Sequence, residues 1–461
     1  MTAPVRQPAR LPAWARPKDI FDLIRLALPV AMSRASFMLM QLTDSIVLAR
    51  HRPGELPFVL NGWLPIGVLF GFGMGLMLGV QVLTAELNGV GKGNETGRIF
   101  RRGLGVALVY GAAATGICYL IARPLLGLVG FDGHLAAATT EVTKIFAVGA
   151  IAHMVGLACS SYLEALRKPN IVTAISMAAV AVNLVIDLIL VPKYGATGVA
   201  WATTGSRYFM MIILIGAAAW LTPALKPAPK GPADEFRRQN LVGIGTGIAN
   251  VAEWGSFNLT FVIATLVSID AGTVYGLTVQ MMGVIFMVYI GLGTATSVRV
   301  AERFGRRDAG GVQEASRLGV AASLLFGGFL ALVLWIVRDA VAVAWLNGES
   351  PTSPGAHLVP VLSAMLAAAA FVTIFDGLQG VGSMALRAQG AVWLATGIHI
   401  GSYVAVMLPL CWWLALHEGY GVWGVFTGIA LASLLAGLGQ VLALEWKAAR
   451  GVRIAGHPRA A

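Results

Sequence analysis

Residues 57–89 read PFVLNGWLPIGVLFGFGMGLMLGVQVLTAELNG. The run from Pro57 to Leu83 carries no charge over 27 residues. At ~1.5 Å per residue a helix of that length covers about 40 Å, more than the ~30 Å of hydrocarbon in a bilayer. The closing segment, Ala85-Glu86-Leu87-Asn88-Gly89, returns 216 positions later as Ala301-Glu302-Arg303-Phe304-Gly305, again after a long apolar run. One stretch therefore carries two messages: the chain crosses a membrane, and it does so in a duplicated pattern.

The rest of the chain agrees with the first message. Hydrophobic residues make up 57% of the 461, charged residues 12%, and the mean hydropathy is +0.76. Soluble domains carry about 25% charge, so soluble enzymes, disordered chains and secreted disulfide frameworks are excluded. Apolar runs long enough to span predict twelve helices, at 22–48, 57–83, 100–122, 137–158, 170–191, 197–221, 241–268, 274–297, 317–337, 357–380, 391–415 and 422–446. They must be helices, because irregular backbone cannot face lipid. Cys118, Cys159 and Cys411 all lie inside these runs and are expected to be free, space-filling thiols. The apolar segment after the basic, Pro-rich first twenty residues runs past Val47, too long for a signal-peptide core.

Charge placement orients the map. With the N-terminus inside, 25 of the 33 Lys and Arg fall in cytoplasmic segments, and only Arg50, Arg52, Arg123, Lys193 and Arg338 fall outside. That bias orients a chain in a bacterial-type inner (plasma) membrane with both termini cytoplasmic. The excess of Lys+Arg over Asp+Glu, 33 against 22, is thus spent on topology, and no nucleic-acid partner is expected.

Further pairs extend the duplication. Leu104-Gly-Val-Ala107 matches Leu318-Gly-Val-Ala321, Ala165-Leu-Arg167 matches Ala385-Leu-Arg387, and Tyr194-Gly-x-x-Gly-Val199 matches Tyr420-Gly-x-x-Gly-Val425. The offsets stay between 214 and 226 and keep chain order. Each half has an even number of spans, so the halves run parallel about an axis along the membrane normal, the plan of a secondary transporter with a central cavity. Pro223-Ala-Leu-Lys-Pro-Ala-Pro-Lys-Gly-Pro232 cannot continue a helix. The expected organisation is a cytoplasmic tail over 1–21, a first lobe over 22–222, a cytoplasmic linker over 223–240, a second lobe over 241–446 and a cytoplasmic tail over 447–461.

Of the 22 acidic residues, Asp44, Asp187, Glu253 and Asp376 lie well inside spans. A carboxylate at mid-bilayer costs on the order of 2.5–3.5 kcal/mol on insertion scales, so such residues carry function by default. The plainer alternative is a structural acid paired with Arg34 or Arg207. Asp44 and Asp187 each stand 19 residues past a basic anchor, Arg25 and Lys168, and thus at one depth. Asn183 precedes Asp187 by one helical turn and shares its face. Glu253, 15 residues past Arg238, and Asp376, 11 before Arg387, are likewise at comparable depths, which suggests one carboxylate pair per lobe. Two carboxylates at one depth in a low dielectric are suited to hold a proton or a sodium ion between them.

Thr43-Asp44 in span one, Gly89-x-Gly-Lys-Gly93 after span two, Leu166-Arg-Lys-Pro-Asn170 leading into Asn183-x-x-x-Asp187, and Gly198-Val-Ala-Trp-Ala-Thr203 occur in an order that resembles the multidrug and toxic compound extrusion (MATE) transporters, most closely the NorM-like branch. The resemblance runs from Leu28-Pro29 to the last span. It implies a V-shaped pair of six-helix bundles and an antiporter that exports organic, often cationic, compounds against an inward H⁺ or Na⁺ gradient. It places an ion-coupling site on Asp44, Asn183, Asp187 and Thr203 and a cation site on Glu253 and Asp376. The chain departs from the family pattern at Val372, where some relatives carry tyrosine, and at Arg34, a cation inside span one.

Other signals are weaker. Gly71-Phe-Gly-Met-Gly75 and Gly291-Leu-Gly293 have no preceding strand or phosphate-binding lysine, and close helix packing explains them. The seven histidines show no metal-ligand spacing, so no metal is expected beyond sodium at the coupling sites; His153 and His399 are expected to be packed or hydrogen-bonded. Met38, Trp254, Phe257, Met281, Met282, Phe286 and Tyr289 are candidates to line a permissive cavity for flat apolar cations. The leading expectation is a monomeric, cofactor-free antiporter of small organic compounds. A lipid-linked oligosaccharide or polysaccharide flippase is the alternative, and it should show a basic central cavity. An intramembrane enzyme would need a nucleophile–base cluster, and none is visible.

Overall fold

The computed structural model describes residues 16–128, 133–346 and 355–449. Most of the two expected tails, together with His457, lie outside the described residues. Among the described residues every regular element is helical. The helices are α1 (Pro17–His51), α2 (Leu56–Gly62), α3 (Leu64–Gly89), α4 (Gly97–Leu128), α5 (Gly133–Ala165), α6 (Pro169–Tyr194) and α7 (Ala196–Leu221). After the Pro-rich segment come α8 (Glu235–Val267), α9 (Ile269–Gly305), α10 (Ala309–Leu346), α11 (Val359–Ala388), α12 (Val392–His399), α13 (Leu408–Trp412) and α14 (Gly421–Ala449). Helices α2 and α3 together make the second span. Helices α12 and α13, with wider π-type turns over Ile400–Met407 and Trp413–His417, make the eleventh.

Eleven of these spans are long and apolar enough to cross a membrane. The twelfth, α8, is as long as its neighbours at 33 residues but is diluted by Gln239, Asn240, Asn250, Glu253 and Asn258. It is tolerated because its polar face turns inward: Gln239, Thr246 and Glu253 are all buried. Helices also begin earlier than the apolar runs. Helix α1 starts at Pro17, inside the expected tail, and α8 starts at Glu235, inside the expected linker. In the second case a charged anchor extends the helix: Glu235 is buried and held by Arg98 and Arg102 of α4, both at 2.8 Å. Pro29 stays within a continuous α1, and its carbonyl accepts a hydrogen bond from Thr173 of α6 (2.6 Å). The three cysteines are free and buried.

Packing repeats with a shift of six spans. In the first half α4 packs on α5, α5 on α7, α1 on α6 and α6 on α7; in the second α10 packs on α11, α11 on α14, α8 on the α12–α13 span, and that span on α14. The duplicated motifs explain two recurring details. Gly195 and Gly421, from the paired Tyr-Gly steps, adopt φ of +58° and +57°, a left-handed conformation open to glycine and strained for other residues. Gly195 lets α6 pass straight into α7, and Gly421 opens α14 after the short Glu418–Tyr420 connection.

The halves meet through α3 against α8 and α9, and through α1 against α9. Part of this contact lies at the end that bears most of the Lys and Arg, which we term the basic end. There the duplicated Ala-Glu-x-x-Gly motifs clasp one another. An added Cβ on Gly89 would stand 2.3 Å from the backbone of Glu302, and one on Gly305 would stand 2.4 Å from that of Glu86. Each glutamate also bonds an arginine of the opposite half, Glu86 to Arg238 at 3.0 Å and Glu302 to Arg167 at 2.6 Å. One level deeper, a Cβ on Gly75 would lie 2.2 Å from the Gly247 nitrogen, so these two helices touch backbone to backbone.

Candidate functional site

Above that closure the halves part around a cavity of about 530 Å³. Helix α1 contributes Phe37, Met38 and Gln41, while α8 contributes Glu253, Trp254 and Phe257. Helix α9 adds Tyr275, Met282 and Phe286, and Asp376 enters from α11. Phe261 and Tyr275, near the α8–α9 turn at Ser268, place its upper part at the end opposite the basic one. Glu253 and Asp376 are the carboxylates on its wall, and no lysine or arginine stands among the described lining residues.

Of the residues singled out for such a cavity, Met38, Trp254, Phe257, Met282 and Phe286 line it, and Met281 and Tyr289 do not. Met281 is turned about 100° around α9 from the Met282–Phe286 face and packs against the apolar core. Tyr289 lies one turn below Phe286, where α10 and α11 close around it; its ring occupies space left by Gly377 and Gly327, and it is 1% exposed. Gln41, Asn258 and Gln280 were missed by sequence reasoning, which looked for soft and aromatic side chains and not for amides.

Glu253 sits at the mouth of a buried polar chain. Gln379 of α11 donates to it at 2.9 Å, and His399 stands 3.5 Å away. The ring of His399 bonds Gln379 through Nε2 (2.7 Å), while its Nδ1 faces the Ala395 carbonyl (3.0 Å) and the Gln440 amide (3.1 Å), which itself donates to that carbonyl. Arg387, the repeat counterpart of Arg167, is also buried and is bonded to Ser383 (3.2 Å). Nothing in the sequence links these residues, which come from four different spans.

The second acidic group lies wholly inside the first half. Asp44 of α1 accepts a 2.8 Å hydrogen bond from Thr203 of α7, and Asn183 and Asp187 of α6 face it. All four are nearly inaccessible. Five of their polar atoms, Asp44 Oδ1, both ends of the Asn183 amide and both Asp187 oxygens, have no well-formed protein hydrogen bond. Buried polar atoms are rarely left so. Two carboxylates, an amide oxygen and a hydroxyl form an all-oxygen set that a proton or a hard monovalent cation would satisfy. Among the described residues no His/Cys/Asp/Glu group has the makings of a multivalent metal site.

Neither span cation pairs closely with these acids. Arg34 forms a two-pronged bond with Glu164 of α5 (3.0 and 3.2 Å), an acid just beyond the run expected for the fourth span. Arg207 is ringed by Trp63, Phe70 and Phe37, its guanidinium carbon 4.9, 5.0 and 5.8 Å from their centres. His153 stacks on Phe70 at 4.3 Å.

Comparison with known proteins gives one consistent result. The family model described as MatE matches residues 29–189 and 246–413. A probable multidrug resistance protein NorM of Caulobacter vibrioides is 33% identical over 444 residues, covering 93% of this chain and 92% of that protein. Another from Bradyrhizobium diazoefficiens is 26% identical over 442 residues, covering 91% and 92%. Among solved structures, the outward-facing conformation of a multidrug resistance MATE family transporter superposes with a TM-score of 0.86 at 15% identity, over 96% of this chain and 98% of that one.

Proposed function

This chain belongs to the MatE family, and on that footing we propose that it is a multidrug efflux transporter, a secondary antiporter that exports small organic compounds in exchange for H⁺ or Na⁺. The observation that carries the reading is a large amphipathic cavity between two similar halves, walled by acids on one side and flanked by a second buried acidic group on the other. Glu253 and Asp376 offer negative charge to a cationic compound held against Trp254 and Phe257. Asp44, Asp187, Asn183 and Thr203 offer a place for the coupling ion.

The cycle follows from differential affinity. An ion drives a conformational change only to the extent that it binds one arrangement better than the other. Asp44 joins α1 to α7 through Thr203 and faces α6, so loading or unloading an ion there alters how α1 packs in its half. Helix α1 also touches α9 of the opposite half, and carries Phe37, Met38 and Gln41 into the cavity. Ion occupancy and cavity shape thus share one helix.

The basic end is the cytoplasmic end by charge bias, and the closed clasp there makes this conformation outward-facing. The flippase alternative expects a basic cavity, and the acidic wall here argues against it. Purified protein in liposomes, given an imposed proton or sodium gradient separately, should accumulate a cationic dye against its own gradient with one of the two ions. Absence of dye movement under both would refute the antiporter reading.

A further inference from the structure

The first half holds a second, smaller cavity of about 40 Å³, set among α1, α5, α6 and α7. Its polar lining is Ser33, Arg34, His153, Ser160, Ser176 and Arg207, with no carboxylate among the described lining residues. Arg207 is 5% exposed, and neither of its terminal nitrogens has a hydrogen-bond partner; Arg34 Nε is also without one. A buried guanidinium left so is costly. The three aromatic rings near Arg207 favour its charge but supply no oxygen or nitrogen acceptor, so its terminal N–H groups still call for one.

Nearby acids do not meet that demand. Glu164 is taken by Arg34, and Asp44 accepts from Thr203 while acting on Arg207 only at longer range. A space of this size admits about three water-sized groups, which suits a carboxylate or a hydrated halide and excludes a drug-sized molecule. Phe37 lines the central cavity and stands 5.8 Å from the Arg207 guanidinium carbon, so one aromatic side chain links the two regions.

We propose that Arg207, with Arg34, His153, Ser160 and Ser176, forms an anion site that takes a carboxylate-sized group. The group is either a free small anion or the acidic end of a compound lodged in the central cavity; the second source rests on the efflux reading above, and the site itself does not. Guanidinium is the group of choice for such recognition, because its forked donors match planar oxyanions. The chain would then offer opposite charges at its two flanks, anion-seeking in the first half and cation-seeking at Glu253 and Asp376, and would accept compounds bearing both.

The test is calorimetric titration of chloride, acetate and benzoate into the purified full-length protein in nanodiscs at low salt, with no ion gradient. At least one should bind, and Arg207→Gln should weaken it by about tenfold or more, since a hydrogen-bonded charge contact is lost. Arg207→Lys should recover part of the loss. Ser160→Asp, which places a carboxylate inside the cavity, should abolish binding and serves if Arg207→Gln fails to fold. Equal use of acetate and benzoate marks a free-anion site; tighter benzoate binding that Trp254→Ala weakens marks the acidic end of a cavity compound. If no anion binds the wild type, or Arg207→Gln and Ser160→Asp bind as the wild type does, the proposal is overturned. Because the readout needs no transport, its failure is distinct from failure of the efflux reading.

Discussion

Asp44 illustrates how much one residue must do. It bonds Thr203, faces Asp187 and Asn183, and stands on the helix that also lines the central cavity. Thr203 supplies one hydrogen bond from a neutral hydroxyl to a carboxylate, worth about 1–3 kcal/mol, so Thr203→Ala should weaken ion affinity by roughly tenfold to a hundredfold and preserve coupling. A loss of coupling as complete as that of an Asp44 variant would show that the hydroxyl is an essential ligand. On the cavity wall, Glu253→Gln should reduce dye binding strongly, because the nearly isosteric amide keeps the Gln379 contact region and loses the charge. Direct binding to the purified variant checks this; unchanged affinity would make Glu253 structural. The depth pairing of the acids was legible because helix rise is constant, so that 19 residues past two anchors means one level in the membrane. The partners of Arg34 and His399 were not legible, since Glu164, Gln379 and Gln440 meet them across helices whose facing is fixed only by packing.

At the scale of elements, the ends of helices carry testable chemistry. Asp308 caps α10, accepting from the Gly311 N–H at 2.8 Å, and pairs with Arg303 at 2.9 Å. That backbone donor, helped by Arg303, holds its carboxyl below the usual carboxylate range. A group whose folded pKa is depressed adds stability above its unfolded value and loses it as pH falls through the folded one. Asp308→Ala should therefore cost about 1 kcal/mol near neutral pH, as N-cap losses do, and the gap should close in acid. Thermal unfolding in detergent across pH would show it; a gap independent of pH would remove the charge from the account. Gly195→Ala should cost about 1–3 kcal/mol, because φ +58° with ψ −130° suits glycine alone, and more through the crowding of Glu55 against that position. Span boundaries were only approximately legible, because helices run past the apolar runs wherever a charge such as Glu235 is buried and bonded.

For the whole molecule the question is what keeps the basic end shut. The Glu86–Arg238 and Glu302–Arg167 pairs look like the lock, yet both arginines are nearly half exposed, at 45% and 48%. Such pairs contribute about 0–1 kcal/mol each, so Glu86→Gln with Glu302→Gln should shift the open–closed balance by about thirtyfold or less. The backbone contacts of Gly75 with Gly247 leave no room for any side chain, and Gly75→Leu should open that end far more. Spin-label distances between positions 92 and 307 would rank the two variants, and a larger opening in the glutamine pair would reverse the assignment. Gly75 and Gly291 were legible as packing residues, whereas the close contacts of Gly89, Gly247 and Gly305, and the helix each one meets, came only from the assembled halves.

We propose that the buried acids of the first half couple ion movement to export through the cavity between the halves. The most direct test is made on Asp44→Asn, with dye binding and gradient-driven uphill transport measured on the same purified protein. The variant should still bind dye but no longer move it uphill under either a proton or a sodium gradient. Uphill transport by Asp44→Asn with the ion dependence of the wild type would contradict the proposal.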